Sequence, residues 1–80
     1  MKATIIVKPK KGVSDPQGNA IKKVANNYFG VEFIEIKSGK YFEVEIENEN
    51  AKGIVEQLAS RILSNEIIED YEIIYESRDS

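Results

Sequence analysis

The sequence predicts an α+β fold in which an antiparallel sheet carries two helices on one face. Two segments, Lys2–Lys8 and Lys40–Glu47, alternate apolar and polar residues with the period of a strand. Two others, at about 16–29 and 51–64, repeat apolar residues every three or four positions, as amphipathic helices do. The chain has 80 residues, which is enough for one small domain spanning 1–80.

The first strand, Lys2–Lys8, is expected to place Ala3, Ile5 and Val7 together on one face of the sheet. Pro9 should end this strand, because proline has no amide hydrogen to donate to a neighbouring strand.

A helix is expected from Pro16 to Phe29. Ser14 or Asp15 can cap it with a side-chain oxygen, and proline suits the first helical position, where no N–H is needed. Gly30 supplies the left-handed residue that commonly ends a helix. The apolar stripe of this helix consists of Ile21, Val24, Ala25 and Tyr28.

A hairpin is predicted next, with a first strand Val31–Lys37, a turn at Ser38-Gly39 and a second strand from Lys40. In the second strand apolar residues alternate with glutamates, which is typical of a half-buried strand. The first strand alternates less regularly, which indicates a bulge or a second covered face.

The last elements are a helix, Ala51–Ser64, a strand, Tyr71–Glu76, and a polar tail at 77–80 that should fray. Ile67 and Ile68 in the connection should pack on the core or on a partner, the core being favoured. The element order is β-α-β-β-α-β. With right-handed crossovers it gives a four-stranded antiparallel sheet with both helices on one face, as in ferredoxin-like folds.

The face of the sheet away from the helices should be too apolar for the surface of a monomer. A chain this short also often gains stability by self-association. The sequence therefore predicts a homodimer or homotetramer. The residues expected on that face are Thr4, Ile6, Tyr41 and Ile74.

Charge and hydropathy limit the possible partners. Eleven basic and 14 acidic residues give a net charge of −3, which argues against binding to nucleic acid or to an anionic membrane surface. The apolar runs are only a few residues long, so no membrane span is expected. No secretory leader is visible, and a cytoplasmic location is predicted.

The chain contains no cysteine and no histidine. This removes thiol nucleophiles, disulfides, thiolate or imidazole metal sites and the commonest general acid–base side chain. Carboxylates, lysines and tyrosines remain, so catalysis that relies on them stays open.

Residues 10–18 combine a basic turn with a helix start. Gly12 can adopt a positive φ, and a helix N-terminus beside two lysines can hold an anion. A helix cap alone also explains most of this stretch. Gly39-Lys40 lacks the spacing of a phosphate-binding loop and is interpreted as a hairpin turn.

A set of basic, glycine, cap and loop positions runs through the whole chain: Lys10, Gly12, Val13, Asp15, Pro16, Gly18, Gly30, Lys37, Gly39, Lys40, Asn65, Ile68, Asp70 and Tyr71. In order and spacing these positions resemble the PurS family, the small subunit of formylglycinamidine ribonucleotide synthase. Lys37 matches as a basic residue where arginine is common in the family, and the chain departs from the family pattern at Ser14, Glu66 and Ile67.

The resemblance implies a non-catalytic subunit in de novo purine biosynthesis. It would bring together a glutaminase subunit (PurQ) and an ATP-dependent synthetase subunit (PurL) and support ammonia transfer between them. No cofactor is expected in this chain, because ATP and magnesium would bind to the synthetase. The residues expected to contribute to docking are Lys10, Lys11, Gly12, Asp15, Pro16, Gln17, Gly18, Lys37, Gly39 and Lys40.

Two other functions fit the same element order. One is a small-molecule-binding regulatory domain of the ACT type. The other is a small enzyme that relies on carboxylates and lysines, although nothing in the sequence clusters these residues.

Overall fold

The computed structural model describes residues 1–76, so the predicted frayed tail lies outside the described residues. A single π-helical segment directly continues the second helix. The elements in chain order are β1 (Lys2–Pro9), α1 (Pro16–Phe29), β2 (Lys40–Glu45), α2 (Ala51–Gln57), the π-helical segment (Leu58–Leu63) and β3 (Glu69–Glu76).

The three strands form one antiparallel sheet in the order β2-β1-β3. The central strand is β1, in which Ile5 lies opposite Phe42 of β2 and Ile73 of β3. The predicted antiparallel α+β architecture is therefore confirmed.

The core lies between this sheet and the second helix. Ala3, Ile5 and Val7 are buried, as their alternation predicts. Val55 and Ala59 cover them from α2 and the π-helical segment, since residues four apart lie on one face of a helix. The helix widens at its end, where the Ser64 amide donates to the Ala59 carbonyl across five residues.

The strand predicted over Val31–Lys37 is not formed within the protomer. This stretch instead runs back along α1, where side chains bind its backbone. Asn26 Oδ1 accepts from the Phe33 amide at 2.7 Å, and Lys22 Nζ donates to the Ile34 carbonyl at 2.9 Å. Those bonds hold the stretch away from β2, so the sheet has three strands where the sequence predicts four.

The sequence predicts that both helices cover one face of the sheet, and within the protomer this is not observed. Only α2 and the π-helical segment cover it, whereas α1 has no extensive contact with the other described elements. We call residues Pro16–Lys37, which comprise α1 and the stretch that returns along it, the arm. The arm leaves apolar side chains in solvent, with Val24 68% and Tyr28 81% exposed, and the molecule extends 52 Å along its longest axis.

Three strand boundaries also differ from prediction, and one of them is the end of β2, which lies at Glu45 instead of Glu47. Pro9 belongs to β1, because β2 begins opposite Val7 and only β3 borders the proline, which pairs with Glu69. The last strand accordingly begins at Glu69, two residues earlier than predicted. Within residues 1–76, no helix is long and apolar enough to cross a membrane.

Candidate docking surface

Asp15 joins the start of the arm to its end. Its Oδ1 accepts from the Gly18 amide at 3.0 Å, which caps α1. The same carboxylate accepts from the amide and the hydroxyl of Ser38, each at 2.7 Å. One side chain therefore caps a helix and binds a loop 23 positions away, which is more than a helix cap requires.

These donors favour the ionised carboxylate. The Ser38 amide, followed by the Gly18 amide and the Ser38 hydroxyl, holds the pKa of Asp15 below its usual value. A group whose pKa is lowered by folding contributes stability above its unfolded pKa. That contribution is lost as the pH falls through the folded pKa.

We expect the thermal stability of the protein to depend on Asp15 near the unfolded aspartate pKa of about 3.9. The Asp15→Asn variant cannot ionise, so it should melt below the parent at neutral pH. The gap in Tm should shrink as the pH falls below about 4. Melting curves of both proteins across this range measure it, and a gap that stays constant would contradict the assignment.

Gly18 is buried because the returning chain crosses directly over it. A Cβ there would overlap the Ile36 carbonyl oxygen and would lie 2.5 Å from Asp15 Oδ2. Glycine is thus required by close backbone approach, since its φ is not in the left-handed region. Gly39 is similar, because its Cβ would lie 2.7 Å from the Val7 carbonyl oxygen.

The basic turn before the arm is held by backbone bonds. The Lys10 amide donates to the Ile68 carbonyl at 2.9 Å, and the Val13 amide donates to the Lys10 carbonyl at 3.0 Å. Gly12 lies between them with a φ of +84°, as predicted from the sequence. The loop between the π-helical segment and β3 therefore helps to fix the position of the basic turn.

The fold brings the two predicted docking segments together. A groove of about 270 Å³ has Lys10, Lys11 and Gly12 on one wall and Lys37 on the other. Gly39 and Lys40 lie across the loop beside a second cavity of about 350 Å³, which also contains Pro16 and Gln17.

Carboxylates balance part of the positive charge. Lys10 Nζ lies 2.9 Å from Asp70 Oδ1, and Lys40 Nζ lies 3.6 Å from Glu69 Oε2. Lys37 lies 3.9 Å from Glu35. Exposed pairs of this kind are weak, so a partner's acidic groups can still compete for these lysines.

Sequence reasoning missed the residues that hold this surface together. The sequence predicts Ser38 only as a turn residue, because a short-range pattern gives no indication of its hydrogen bonds to Asp15. The predicted core packing of the loop after the π-helical segment is wrong, because Ile67 is 83% and Ile68 43% exposed. Asn65 shapes that loop, accepting from the Ile67, Ile68 and Glu69 amides at 2.7–3.0 Å.

The described residues also bear on metal binding. Across residues 1–76, no three acidic side chains come close enough together to hold a metal ion. The alternating glutamates of β2 instead lie on the exposed face of an antiparallel strand.

Comparisons with known proteins point to one family. The family model PurS, described as phosphoribosylformylglycinamidine (FGAM) synthase, matches residues 2–77. The chain is 38% identical over 76 residues to the phosphoribosylformylglycinamidine synthase subunit PurS of Methanocaldococcus jannaschii, covering 90% of each chain.

Solved structures agree with this match. The structure of Bacillus subtilis PurS superposes with a TM-score of 0.85 at 31% identity, covering 95% of this chain and 98% of that one. A chain in the structure of PurLQS from Thermotoga maritima superposes with a TM-score of 0.66 at 32% identity, covering 91% and 93%.

Proposed function

This chain belongs to the PurS family of phosphoribosylformylglycinamidine synthase subunits, and from that premise we propose that it is the assembly subunit of this synthase. It brings a glutaminase subunit and an ATP-dependent synthetase subunit together and supports the passage of ammonia between them. The match over residues 2–77 carries the proposal, because it covers nearly the whole chain.

We propose PurQ and PurL as its two larger partners. The solved Thermotoga maritima assembly is described as PurLQS, and one of its chains matches 91% of this chain. The partners would supply glutamine hydrolysis and ATP-dependent activation, and ATP with magnesium would bind to PurL. A subunit of this nucleotide-biosynthetic enzyme is expected in the cytoplasm.

The residue inventory supports a non-catalytic role. The chain has no cysteine and no histidine, so it cannot supply the thiolate nucleophile and imidazole base of a cysteine-dependent glutaminase. Its contribution is then a rigid surface, and the groove between the basic turn and the end of the arm is the best-defined one. The bonds of Asp15 to Ser38 and Gly18 fix the shape of that groove.

Leaving this chain out of a reconstituted synthase tests the function directly. Glutamine-dependent synthesis should then be lost, because glutaminase and synthetase no longer assemble. Synthesis from added ammonium salt should persist, because free ammonia bypasses the need for assembly. Equal glutamine-dependent activity with and without the chain would overturn the proposal.

A charge-reversal variant, Lys11→Glu with Lys37→Glu, tests the docking surface. Both lysines line the groove, and their reversal leaves the Lys10–Asp70 pair intact. We expect glutamine-dependent activity to fall by about tenfold or more, as the loss of one or two charge contacts weakens binding. Folding should change by less than about 1 kcal/mol, since exposed substitutions rarely cost more.

The matched control is Lys23→Glu with Arg61→Glu. Both residues are exposed and lie outside the groove, and the change in net charge is identical. The control should assemble like the parent, as measured by co-purification with the partners. If both double variants behave alike, the docking assignment fails even though the family assignment stands.

A further inference from the structure

The side of the sheet that points away from α2 carries the net charge of the chain. We call this side the outer face. Its central residues, Thr4 and Ile6, alternate along β1 with the buried residues of the core. Two lysines, Lys2 and Lys8, share the outer face with five carboxylates. The other nine acidic and nine basic residues of the chain balance one another, so the net charge of −3 lies here. The five carboxylates are Glu43, Glu45, Asp70, Glu72 and Glu76.

Apolar side chains lie in the middle of the outer face. Ile6 of β1 pairs with Tyr41 of β2, and Ile74 of β3 pairs with the neighbouring Thr4. Tyr41 is 62% and Ile74 50% exposed. An apolar middle with a charged border is the composition of a protein–protein interface. The outer face therefore has the features of a docking surface.

The carboxylates of the outer face have few cationic partners within the protomer. Across residues 1–76, no lysine or arginine forms an ion pair with Glu43 or Glu72, whereas Asp70 pairs with Lys10. The Tyr41 hydroxyl donates to Glu43 Oε2 at 2.8 Å. This bond is the main cause that raises the pKa of Tyr41. The outer face thus keeps negative charge that a partner can neutralise.

One end of the outer face has a shape that suits an arginine side chain. A cavity of about 320 Å³ there has Tyr41, Glu43, Glu45 and Glu76 in its walls, together with Lys2. A guanidinium stacks on an aromatic ring and donates in a fork to a carboxylate. The cavity offers both kinds of contact side by side, and its three carboxylates outnumber its single lysine.

The outer face and the basic groove are separate surfaces of opposite charge. None of the five carboxylates lines the groove, whose walls carry Lys10, Lys11 and Lys37. The groove therefore suits an acidic partner and the outer face a basic one. A subunit that joins two different proteins needs two such surfaces, and charge tells the partners apart.

We propose that the outer face docks a basic, arginine-bearing surface of one of the two larger subunits of the synthase. The inference rests on the proposed function, because it assigns a surface to the second partner. The basic groove then contacts the other subunit. Opposite charges across each interface speed the encounter and oppose docking of the wrong subunit.

The charge of the outer face favours a basic protein over other occupants. A second copy stacked on this face would bring its five carboxylates against those of the first, and like charges across an interface oppose association. Nucleic acid would be repelled by the same charges, because its phosphates need a basic surface. Across residues 1–76, no three acidic side chains come close enough together to hold a metal ion, so a single cation does not fit either.

A charge-reversal variant, Glu43→Lys with Glu72→Lys, tests the outer face in the reconstituted synthase. The two residues are exposed and lie on either side of β1. The tagged chain is mixed with PurQ and PurL, and co-purification measures how much of each subunit it retains. We expect one of the two subunits to be retained about tenfold less, because the variant sets a basic surface against a basic one. Glutamine-dependent synthesis should fall with it.

Two further variants show whether the effect comes from attraction at this face. The neutral variant Glu43→Gln with Glu72→Gln removes attraction without adding repulsion, so it should lower retention of the same subunit by a smaller factor. The matched control, Glu49→Lys with Glu56→Lys, makes the same change in net charge at exposed positions just before and within α2, on the other side of the sheet. It should retain both subunits like the parent. The outer-face variants should melt no lower than the control, because they reduce repulsion among the five carboxylates.

Three results would overturn the inference. Equal retention by the reversal variant and the control would show that neither larger subunit docks here. A neutral variant that binds like the parent would show that the carboxylates do not attract the partner. A change in the oligomer size of the isolated reversal variant, measured by light scattering, would show that a second copy covers the face. Failure in the variants alone leaves the proposed function standing, whereas a parent chain that is dispensable for glutamine-dependent synthesis overturns both.

Discussion

Replacing Ile5 by alanine is expected to lower the free energy of unfolding by about 3 kcal/mol, the cost of deleting a fully buried isoleucine and leaving part of its cavity. Ile5 is 0% exposed at the centre of the middle strand, between Phe42 and Ile73, and it packs in the cluster with Val55. A small domain is stable by only about 5–15 kcal/mol. Urea unfolding at a fixed protein concentration measures the loss.

The adjacent Ile6 provides the control. It has the same side chain on the opposite, half-exposed face of the same strand, so Ile6→Ala should cost about 1 kcal/mol. The difference between the two variants isolates the contribution of the covered face. Equal losses would mean that both faces are equally buried in the assembly, and the placement of the core on one face would then be wrong.

Replacing Gly18 by alanine is expected to destabilise the protein by about 2 kcal/mol, although alanine is the better helix former. Alanine gains about 1 kcal/mol in a helix interior. The added Cβ would overlap the Ile36 carbonyl and crowd the Asp15 carboxylate, and overpacking of this kind costs about 1–3 kcal/mol. The upper end applies here, because one obstacle is backbone and the other is the helix cap.

Asn19→Ala is the matched control for Gly18→Ala. Asn19 is the next residue of α1 and is exposed, so the change should alter stability by less than about 0.5 kcal/mol. Thermal unfolding of both variants separates helix propensity from the clash. A more stable Gly18→Ala protein would show that the returning stretch does not lie over Gly18.

Some parts of the fold can be predicted from local sequence patterns. The bounds of α1 and its left-handed end at Gly30, where φ is +65°, follow from signals within a few positions. The buried face of β1 follows from alternation alone. Each of these depends on interactions that adjacent residues complete among themselves.

The arrangement of the docking groove could not be predicted from local patterns. The lysines and glycines of both segments were identified from the sequence, but their meeting depends on Asp15 binding Ser38. The exposed Ile67 was misplaced for a related reason. Its loop is organised by Asn65 and by the Lys10 amide that donates to Ile68, and an apolar side chain alone does not indicate which side of such a loop is covered.

The sequence by itself determined the antiparallel α+β class, the first helix with its cap, the core face of the central strand and the lack of a thiol or imidazole chemistry. Only the tertiary structure decided where Val31–Lys37 and the apolar side of α1 lie. Alternation of apolar and polar residues predicts a strand and its buried face. It does not predict which neighbouring strand edge will pair with the backbone of that segment. The position of Val31–Lys37 depends on contacts between residues far apart in the chain. Asp15 binds Ser38, and Gly18 allows the Ile36 carbonyl to approach α1 closely, so the stretch lies along α1 and not beside β2.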